Sequence, residues 1–568
     1  MNKHKENLNK NKKIVNIITI FLYIISMIVY EFGFCNWGFT NHYIFKGEEI
    51  PYYFSFFRVC VYIIFWILYG IGIPKFLDSA CETIKEKNKK IIIGIYIPIM
   101  IAILSYFIIK NKEMYRISIF IIIFLMGIVA LIYISKNYIK NIIVITMTLG
   151  MVFACTTRFN GSLDEKKHFM SAFNLAAGNI NYVERPFTQK EFNEIPFLCP
   201  MDNSIMLFRI PYESKLEENT NIKDIDSLPA GYNPIMYIPS AIGIELAKVT
   251  KGSVADLYIA GRMTNLIFYA ILLIIILKIL PAKEKTFYVI YMLSFALLLA
   301  GAYSVDGIAI GIIGIFIAYC LNLYNRKPED IKLKQILILM GLFAISLFIK
   351  NFAYIGVGFL VLLLPIFKIV KNNKKNIPFI LGIILVAVIL VILKLFAGSG
   401  VESDPRGGNT DINGQIEFLK ESPSRIIIVG MNHIINTLCN FNWYLVLNPA
   451  LFFGKFATVI MFLQFLFILY VAISDNSIKF KLSQKIISLV SFLLVFGSTS
   501  LILYLTYTEV GKLSIDGYQT RYILPILPLI LMVLNNDHIT ENEGNEKIQI
   551  ASISTIFIVI NLMLMIVN

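Results

Sequence analysis

Runs of apolar residues, each about 20 residues long, alternate with short polar segments along most of the 568-residue chain. A helix of about 20 apolar residues can cross the hydrocarbon core of a bilayer. The pattern therefore predicts an all-α polytopic membrane protein with about thirteen to sixteen transmembrane helices. The predicted spans are 14–33, 53–73, 91–109, 116–135, 139–156, 256–280, 286–302, 305–324, 335–349, 352–370, 377–397, 452–474, 485–507, 521–535 and 549–567.

Composition and charge support this interpretation. Hydrophobic residues make up 57% of the chain and charged residues 15%, whereas soluble proteins carry about 25% charged residues. The net charge of +14 comes largely from lysine clusters in short loops such as 85–90 and 368–375. The positive-inside rule places those loops and the N-terminus in the cytoplasm, so we expect no nucleic-acid partner. The bias towards Ile, Lys and Asn is typical of AT-rich bacterial genomes, which predicts a bacterial cytoplasmic membrane.

Three polar stretches without lysine clusters, 157–253, 398–425 and 508–520, are predicted to lie on the outer face. The first stretch contains two predicted short helices. One has Ser162 and Glu165 in a capping box and ends at Gly178; the other begins at Pro234 and lies at the membrane surface. The apolar segment 426–446 is also predicted to be a surface helix, because counting it as a span would move lysine-rich residues 475–485 outside.

The same pattern divides the chain into three parts. Residues 1–138 form a predicted N-terminal bundle of about four extra helices, and 139–535 form the core that carries the outer stretches. Residues 536–568 are a predicted cytoplasmic linker followed by a last transmembrane helix. The seven cysteines show no paired spacing, so they predict neither a disulfide framework nor a metal site.

The first candidate site is "LDEKKHF", where Asp164, Glu165 and His168 follow a span directly. The structural alternative is that Glu165 caps the helix while Asp164 interacts favourably with the helix dipole. A carboxylate at this position could also act as a general base for an attacking hydroxyl, with His168 tuning or orienting it. We predict Asp164 and Glu165 as catalytic; the sequence leaves open whether they bind Mg²⁺ or Mn²⁺, and it requires no cofactor.

The second set of candidates consists of charged residues at predicted membrane depth. Arg262 falls in the first turns of a span, Arg521 enters another, and Lys350 lies between two apolar runs, where snorkelling is the alternative explanation. Such cations suit a phosphate group. Asp306 lies between two spans, where a simple turn residue is equally expected. The predicted substrate-binding residues are His168, Arg262, Asp306, Lys350, Gln519, Arg521 and Tyr522.

No nucleotide-binding loop, HExxH, GxSxG or CxxC motif occurs, which favours a lipid-linked donor over a nucleotide sugar. The ordered segments "LDEKKHFMSAFNLAAGN", "YNPIMYIPSAIGIELAK", "AGRMTNLIFY", "YSVDGIAIG", "FIKNFAYI" and "GYQTRYILPILPL" resemble a bacterial family of predicted membrane proteins allied to the GT-C glycosyltransferases. The resemblance covers about residues 140–535, and the spans before 139 depart from it because the family motif usually follows the first helix.

This resemblance implies a GT-C-like core and a transferase that moves a sugar from a polyprenyl phosphate to a cell-envelope glycan or glycopolymer. In GT-C enzymes an acidic residue of the first long outer loop is the base, which by position implies Asp164, with Glu165 beside it. The extra N-terminal helices would then bind partner membrane proteins. Two alternatives stay open: a transporter or flippase of lipid-linked envelope intermediates, and a non-catalytic envelope scaffold.

Overall fold

The structure is a computed structural model. It describes, with short gaps, residues 114–156, 164–178, 232–250, 254–365, 408–439, 455–534 and 546–567, and a few residues between 44 and 101. The predicted spans 14–33, 53–73 and 377–397, and most of the first polar stretch, lie outside the described residues.

The described chain is helical, apart from an antiparallel pair of two-residue strands, Ile44–Phe45 and Glu48–Glu49. Among the described residues, five helices are long and apolar enough to cross a membrane. Those five are Tyr138–Cys155, Leu257–Ile279, Asp306–Tyr324, Leu482–Thr506 and Glu546–Met565. The helices are Met114–Tyr133, Tyr138–Ile145, Thr146–Gly150 (a π-turn), Met151–Thr156, Glu165–Ala176, Ile238–Val249, Val254–Ile279, Glu284–Tyr291, Ser294–Ala300, Asp306–Tyr324, Leu333–Phe348, Ile412–Glu421, Ser424–Cys439, Lys455–Ser474, Leu482–Thr506, Leu527–Val533 and Glu546–Val567.

Three predicted spans have a different local structure. The span predicted at 286–302 is two short helices, Glu284–Tyr291 and Ser294–Ala300, and nearly every residue of both is buried in protein. The span predicted at 352–370 contains a 3₁₀-helix, Ile355–Leu363, and the one at 521–535 begins with 3₁₀ turns around Pro525. A hydropathy pattern does not show where a helix is interrupted, so these three segments are not among the five long apolar helices.

The chain divides into two compact units. The first comprises Met1–Ala270, Leu297–Gly307 and Gly544–Asn568. In it the C-terminal helix Glu546–Val567 packs against Met114–Tyr133. The helix Glu165–Ala176, hereafter the carboxylate helix, packs against Ile238–Val249.

The helix Ile238–Val249 follows a 3₁₀ turn that begins at Pro234, as predicted. It approaches the next helix closely at Gly243, where an added Cβ would meet the Ala260 carbonyl oxygen at 2.3 Å. On its other side, Ile238, Ile242 and Leu246 form an exposed apolar stripe at helical spacing, as expected of a helix at a membrane surface.

The second unit comprises Ile271–Ala296 and Ile308–Glu543. Its long helix Leu482–Thr506 packs against the 3₁₀-helix Ile355–Leu363 and against Leu527–Val533. The approach is close because Gly356 has no side chain: an added Cβ would lie 2.6 Å from the Val495 nitrogen. Ser491 and Ser498 of the long helix donate hydrogen bonds to the carbonyls of Gly356 and Ala353, at 3.0 and 2.6 Å.

Candidate functional site

The carboxylate helix begins and ends at unusual backbone positions. Asp164 is its N-cap residue and has left-handed backbone angles, φ 58° and ψ 21°, which Asp adopts more readily than most residues. The helix begins at Glu165, so the predicted capping box, which requires Glu165 three residues after the cap, is wrong; Ser162 lies outside the described residues. The predicted end is confirmed, because Gly178 has φ 79°.

Glu165 forms a buried ion pair with Arg262, and both side chains are fully buried. Arg262 Nε donates to Glu165 Oε1 and Arg262 Nη2 donates to Oε2, each at 2.8 Å. The Tyr303 backbone N–H donates to the same carboxylate at 3.0 Å, and the Arg262 guanidinium donates further to the Ala154 carbonyl at 3.3 Å. A charge pair inside an apolar protein is stable only when its remaining hydrogen-bonding groups are satisfied, as they are here.

Aromatic rings enclose this ion pair. The guanidinium carbon of Arg262 lies 4.7 Å from the ring centroid of Tyr258. The rings of Phe169, Tyr258 and Tyr303 contact one another with centroids 4.9–5.1 Å apart. Gly261 is required beside them, because an added Cβ would come within 2.0 Å of the Tyr303 hydroxyl oxygen. The rings exclude water, and this strengthens the charge-assisted hydrogen bonds.

These contacts change the roles that the sequence suggested for Glu165 and Arg262. Both Glu165 oxygens accept hydrogen bonds from Arg262, so this carboxylate has no geometry for a general base or a metal ligand. The same ion pair occupies the Arg262 guanidinium, and this contact does not fit the phosphate-binding role predicted for Arg262. Among the described residues, no group of three His, Cys, Asp or Glu side chains is arranged to hold a metal ion. The catalytic roles predicted for Asp164 and Glu165 stay predictions, and for Glu165 the pair with Arg262 favours a structural role.

His168 lies one turn after Asp164, as the helical spacing predicts, and is buried. Its Nδ1 lies 2.9 Å from the Tyr237 hydroxyl, and its ring stacks on Tyr232 with centroids 5.8 Å apart. Both tyrosines belong to the motif "YNPIMYIPS". His168 thus joins the carboxylate helix to this motif, and its predicted contact with substrate stays a prediction.

Asp306 is buried and is the first residue of the helix Asp306–Tyr324. Its Oδ2 accepts a hydrogen bond from the Ser304 hydroxyl at 2.9 Å, and its backbone N–H donates to the Ser304 oxygen at 3.1 Å. The amide of Asn265 donates to the carbonyls of Ala302 and Ser304 and so fixes this loop. The turn interpretation of Asp306 therefore has direct support.

In the second unit, residues 349–354 form a tight turn, hereafter the cation turn. Lys350 has φ 47° and Phe352 has φ 67°, a left-handed conformation that is strained for side chains of this size. The turn is anchored by the Ala353 carbonyl, which accepts from Ser498, and by the Tyr354 hydroxyl, which donates to the Tyr522 carbonyl at 3.2 Å. Strain of this kind persists only where surrounding contacts enforce it, and it is concentrated at functional sites.

Lys350 and Arg521 converge on one aromatic ring. Lys350 Nζ lies 4.6 Å from the ring centroid of Tyr522, and the Arg521 guanidinium carbon lies 5.5 Å from it. Both cations are almost fully buried, at 6% and 4% exposure. Sequence reasoning named all three residues separately; the structure brings them together. Gln519, the fourth candidate of this region, is half-buried, and its carbonyl accepts from the Tyr522 N–H at 3.1 Å.

Two of the predicted outer stretches contact each other beside this cluster. The Gly511 N–H donates to Gln415 Oε1 at 3.0 Å, and Asn432 Nδ2 donates to the Leu513 carbonyl at 2.9 Å. Asn432 belongs to the helix Ser424–Cys439, hereafter the surface helix, which has an exposed apolar face that includes Met431. A helix was predicted in this segment and is confirmed, whereas its predicted place at the outer membrane surface stays a prediction.

Several residues of these clusters were not found from the sequence. Tyr303 and Asn265 hold the loop before Asp306, and Tyr258 covers Arg262. All three lie within apolar runs, where the sequence does not mark them as functional. The one available signal is that they lie in or beside the motifs "YSVDG" and "RMTN". They are recognised only because a buried charge pair needs polar and aromatic neighbours.

The fold and these buried charged clusters define the class of the protein: a helical membrane protein with several apolar helices long enough to cross a bilayer. Its family follows from sequence comparison. The profile of the predicted membrane protein family DUF2142 matches residues 147–530, and the chain belongs to that family. No curated protein and no solved structure matches the chain.

Proposed function

We propose that this protein is a membrane glycosyltransferase of GT-C type that uses a polyprenyl-phosphate sugar as donor and a cell-envelope glycan as acceptor. It acts in a bacterial cytoplasmic membrane, on the outer face. The observation that carries the proposal is the convergence of Lys350 and Arg521 on Tyr522. Two buried cations at one ring suit an anion such as a phosphate ester.

The leaving group of the proposed reaction is the polyprenyl phosphate. As the bond from the anomeric carbon to the phosphate oxygen breaks, negative charge grows on that phosphate, and Lys350 and Arg521 stabilise it. The phosphate departs as an anion and needs no general acid. A cation that is already held in position and shielded from water is worth more in this step than an exposed one.

The proposal assigns the proton transfer to Asp164. Its carboxylate takes the proton of the acceptor hydroxyl while the hydroxyl oxygen attacks the anomeric carbon with inversion. The support for Asp164 over Glu165 is the ion pair with Arg262, which engages both Glu165 oxygens. Asp164 is half-buried and is the N-cap residue of the carboxylate helix, directly before the fully buried Glu165. The proposed step does not require a metal ion.

Binding and turnover test these two roles separately. The full-length protein in lipid nanodiscs is titrated with a polyprenyl-phosphate sugar, and release of polyprenyl phosphate is followed with envelope glycan present. We expect Lys350→Gln and Arg521→Gln each to weaken donor binding by about tenfold or more, as removal of a charge-assisted contact does. The control is Lys512→Gln, which removes an exposed cation paired with Asp516.

Asp164→Asn should bind donor normally but lose turnover by about a hundredfold or more, the usual contribution of a general base. Asn also tolerates left-handed backbone angles, so the helix start is retained. The matched control is Asp516→Asn, which removes an exposed carboxylate. Donor binding that survives loss of both cations would contradict the phosphate site. Full turnover of Asp164→Asn would show that Asp164 is not the base, whereas a wild type without turnover would favour a transporter or scaffold.

A further inference from the structure

The surface helix carries a buried histidine, His433, in the same unit as Lys350 and Arg521. His433 is 4% exposed, and its Nε2 lies 2.8 Å from the Ser500 hydroxyl of the long helix Leu482–Thr506. Ser500 donates its only proton to the Phe496 carbonyl at 2.6 Å. The Ser500 hydroxyl thus links His433 to the backbone of the long helix.

The His433 ring is also held on both sides by aromatic rings. It stacks on Phe496 with centroids 5.0 Å apart and an interplanar angle of 22°. On its other side the edge contact with Tyr518 has a centroid distance of 4.6 Å and an angle of 77°. The hydrogen bond and the two rings together leave His433 a single orientation.

This arrangement continues to the two cations. Tyr518 makes a second edge contact with Tyr522, with centroids 5.7 Å apart and an interplanar angle of 76°. Tyr522 is the ring on which Lys350 and Arg521 converge. An unbroken series of contacts thus runs from Ser500 through His433, Tyr518 and Tyr522 to both cations. Offset and edge-to-face ring contacts have preferred geometries, so a fixed first ring restricts the orientation of the next.

The geometry points to His433 as a positioning residue for the anion-binding pair Lys350 and Arg521. Its hydrogen bond to Ser500 fixes its ring, the ring fixes Tyr518, and Tyr518 fixes the Tyr522 ring against which both cations are placed. A cation that is held in position binds an anion more tightly than a mobile one, because less side-chain freedom is lost on binding. This inference rests on the proposed function, since it concerns the same phosphate site.

The test removes the hydrogen bond and leaves the rings in place. His433→Phe keeps an aromatic ring between Phe496 and Tyr518, and Ser500→Ala removes the hydroxyl that contacts His433 and the Phe496 carbonyl. We expect each to weaken binding of a short-chain polyprenyl phosphate by about three- to tenfold, the effect of one neutral hydrogen bond. The double variant should bind no more weakly than either single one, because both changes remove the same bond. Ser500→Thr keeps a hydroxyl and should restore binding.

A matched control separates positioning from general stability. Tyr504→Phe removes a hydrogen bond of 2.8 Å, to the Lys512 carbonyl, from the same long helix one turn beyond Ser500. It should lower the unfolding temperature about as much as Ser500→Ala does but leave phosphate affinity unchanged. Binding of the uncharged polyprenol should be the same in all variants, because no cation is involved. Inorganic phosphate, as a third ligand, shows whether the lipid tail is needed.

The outcomes distinguish this inference from the proposed function. If the wild type binds polyprenyl phosphate and His433→Phe binds it equally well, His433 has a structural role only and the inference is overturned. If Lys350→Gln and Arg521→Gln also bind it equally well, the phosphate site itself is wrong and both proposals fail. Weaker binding in His433→Phe and Ser500→Ala, without a matching change in Tyr504→Phe, supports the positioning role.

Discussion

The ion pair between Glu165 and Arg262 allows the most direct test of the structure itself. Glu165→Gln leaves the fully buried guanidinium of Arg262 without its counter-charge. Removing one partner of a buried pair costs about 3–5 kcal/mol of folding free energy, because the other charge stays buried and uncompensated. Arg262→Met leaves the Glu165 carboxylate buried without its counter-charge, at a similar cost. Each single variant should therefore be strongly destabilised.

Removing both charges should cost much less. In the double variant Glu165→Gln with Arg262→Met no buried charge is left, and apolar replacements of buried ion pairs are often neutral. The Tyr303 N–H, which donates to Glu165 at 3.0 Å, can still donate to the glutamine oxygen. We therefore expect the double variant to be at least about 2 kcal/mol more stable than the sum of the two single losses.

The assay is thermal loss of helical circular dichroism for the four proteins in nanodiscs. A control within the same unit is Glu245→Gln, which breaks a partly exposed pair with Lys248 of similar length, 2.8 Å. That change should alter stability by less than about 0.5 kcal/mol. Two outcomes would show that the two charges do not form a buried pair. In one, the single variants are as stable as the control; in the other, the double variant loses as much stability as the two single variants together.

Three further predictions concern other positions. Gly356→Ala should destabilise the protein by about 1–3 kcal/mol, since the new Cβ would lie 2.6 Å from the Val495 nitrogen; normal thermal stability would refute this close approach. Asp164→Ala should cost about 1 kcal/mol more than Asp164→Gly, because glycine adopts the left-handed angles freely, and equal unfolding temperatures would argue against those angles. Burial lowers the pKa of His433 to about 4, below its usual value of 6.5. The unfolded chain therefore binds the proton first, and stability should fall by up to about 3 kcal/mol as the pH drops from 6.5 to 4; His433→Phe, compared by urea or thermal titration, should lack this loss.

The membrane class and much of the helical layout are determined by the sequence alone. Hydropathy and length suffice to predict a span, because a bilayer demands about 20 apolar residues whatever the tertiary structure. The helix Ser424–Cys439 was also predictable, and its expected place at the membrane surface follows only from the side to which lysines are confined. The end of the carboxylate helix was predictable from Gly178, because no other residue adopts a positive φ as easily as glycine.

The roles of the charged residues were decided only by tertiary structure. Glu165 and Arg262 are 97 positions apart in the chain, and neither position carries a signal that the two side chains meet. Once they do, the carboxylate can be neither a helix cap nor an unobstructed base. Lys350 and Arg521 likewise share Tyr522 only because the cation turn and the loop before Leu524 pack together. The physical reason is the same in both cases. A charge removed from water must find a partner or an aromatic face, and the partner is chosen by how the helices pack rather than by neighbours in sequence.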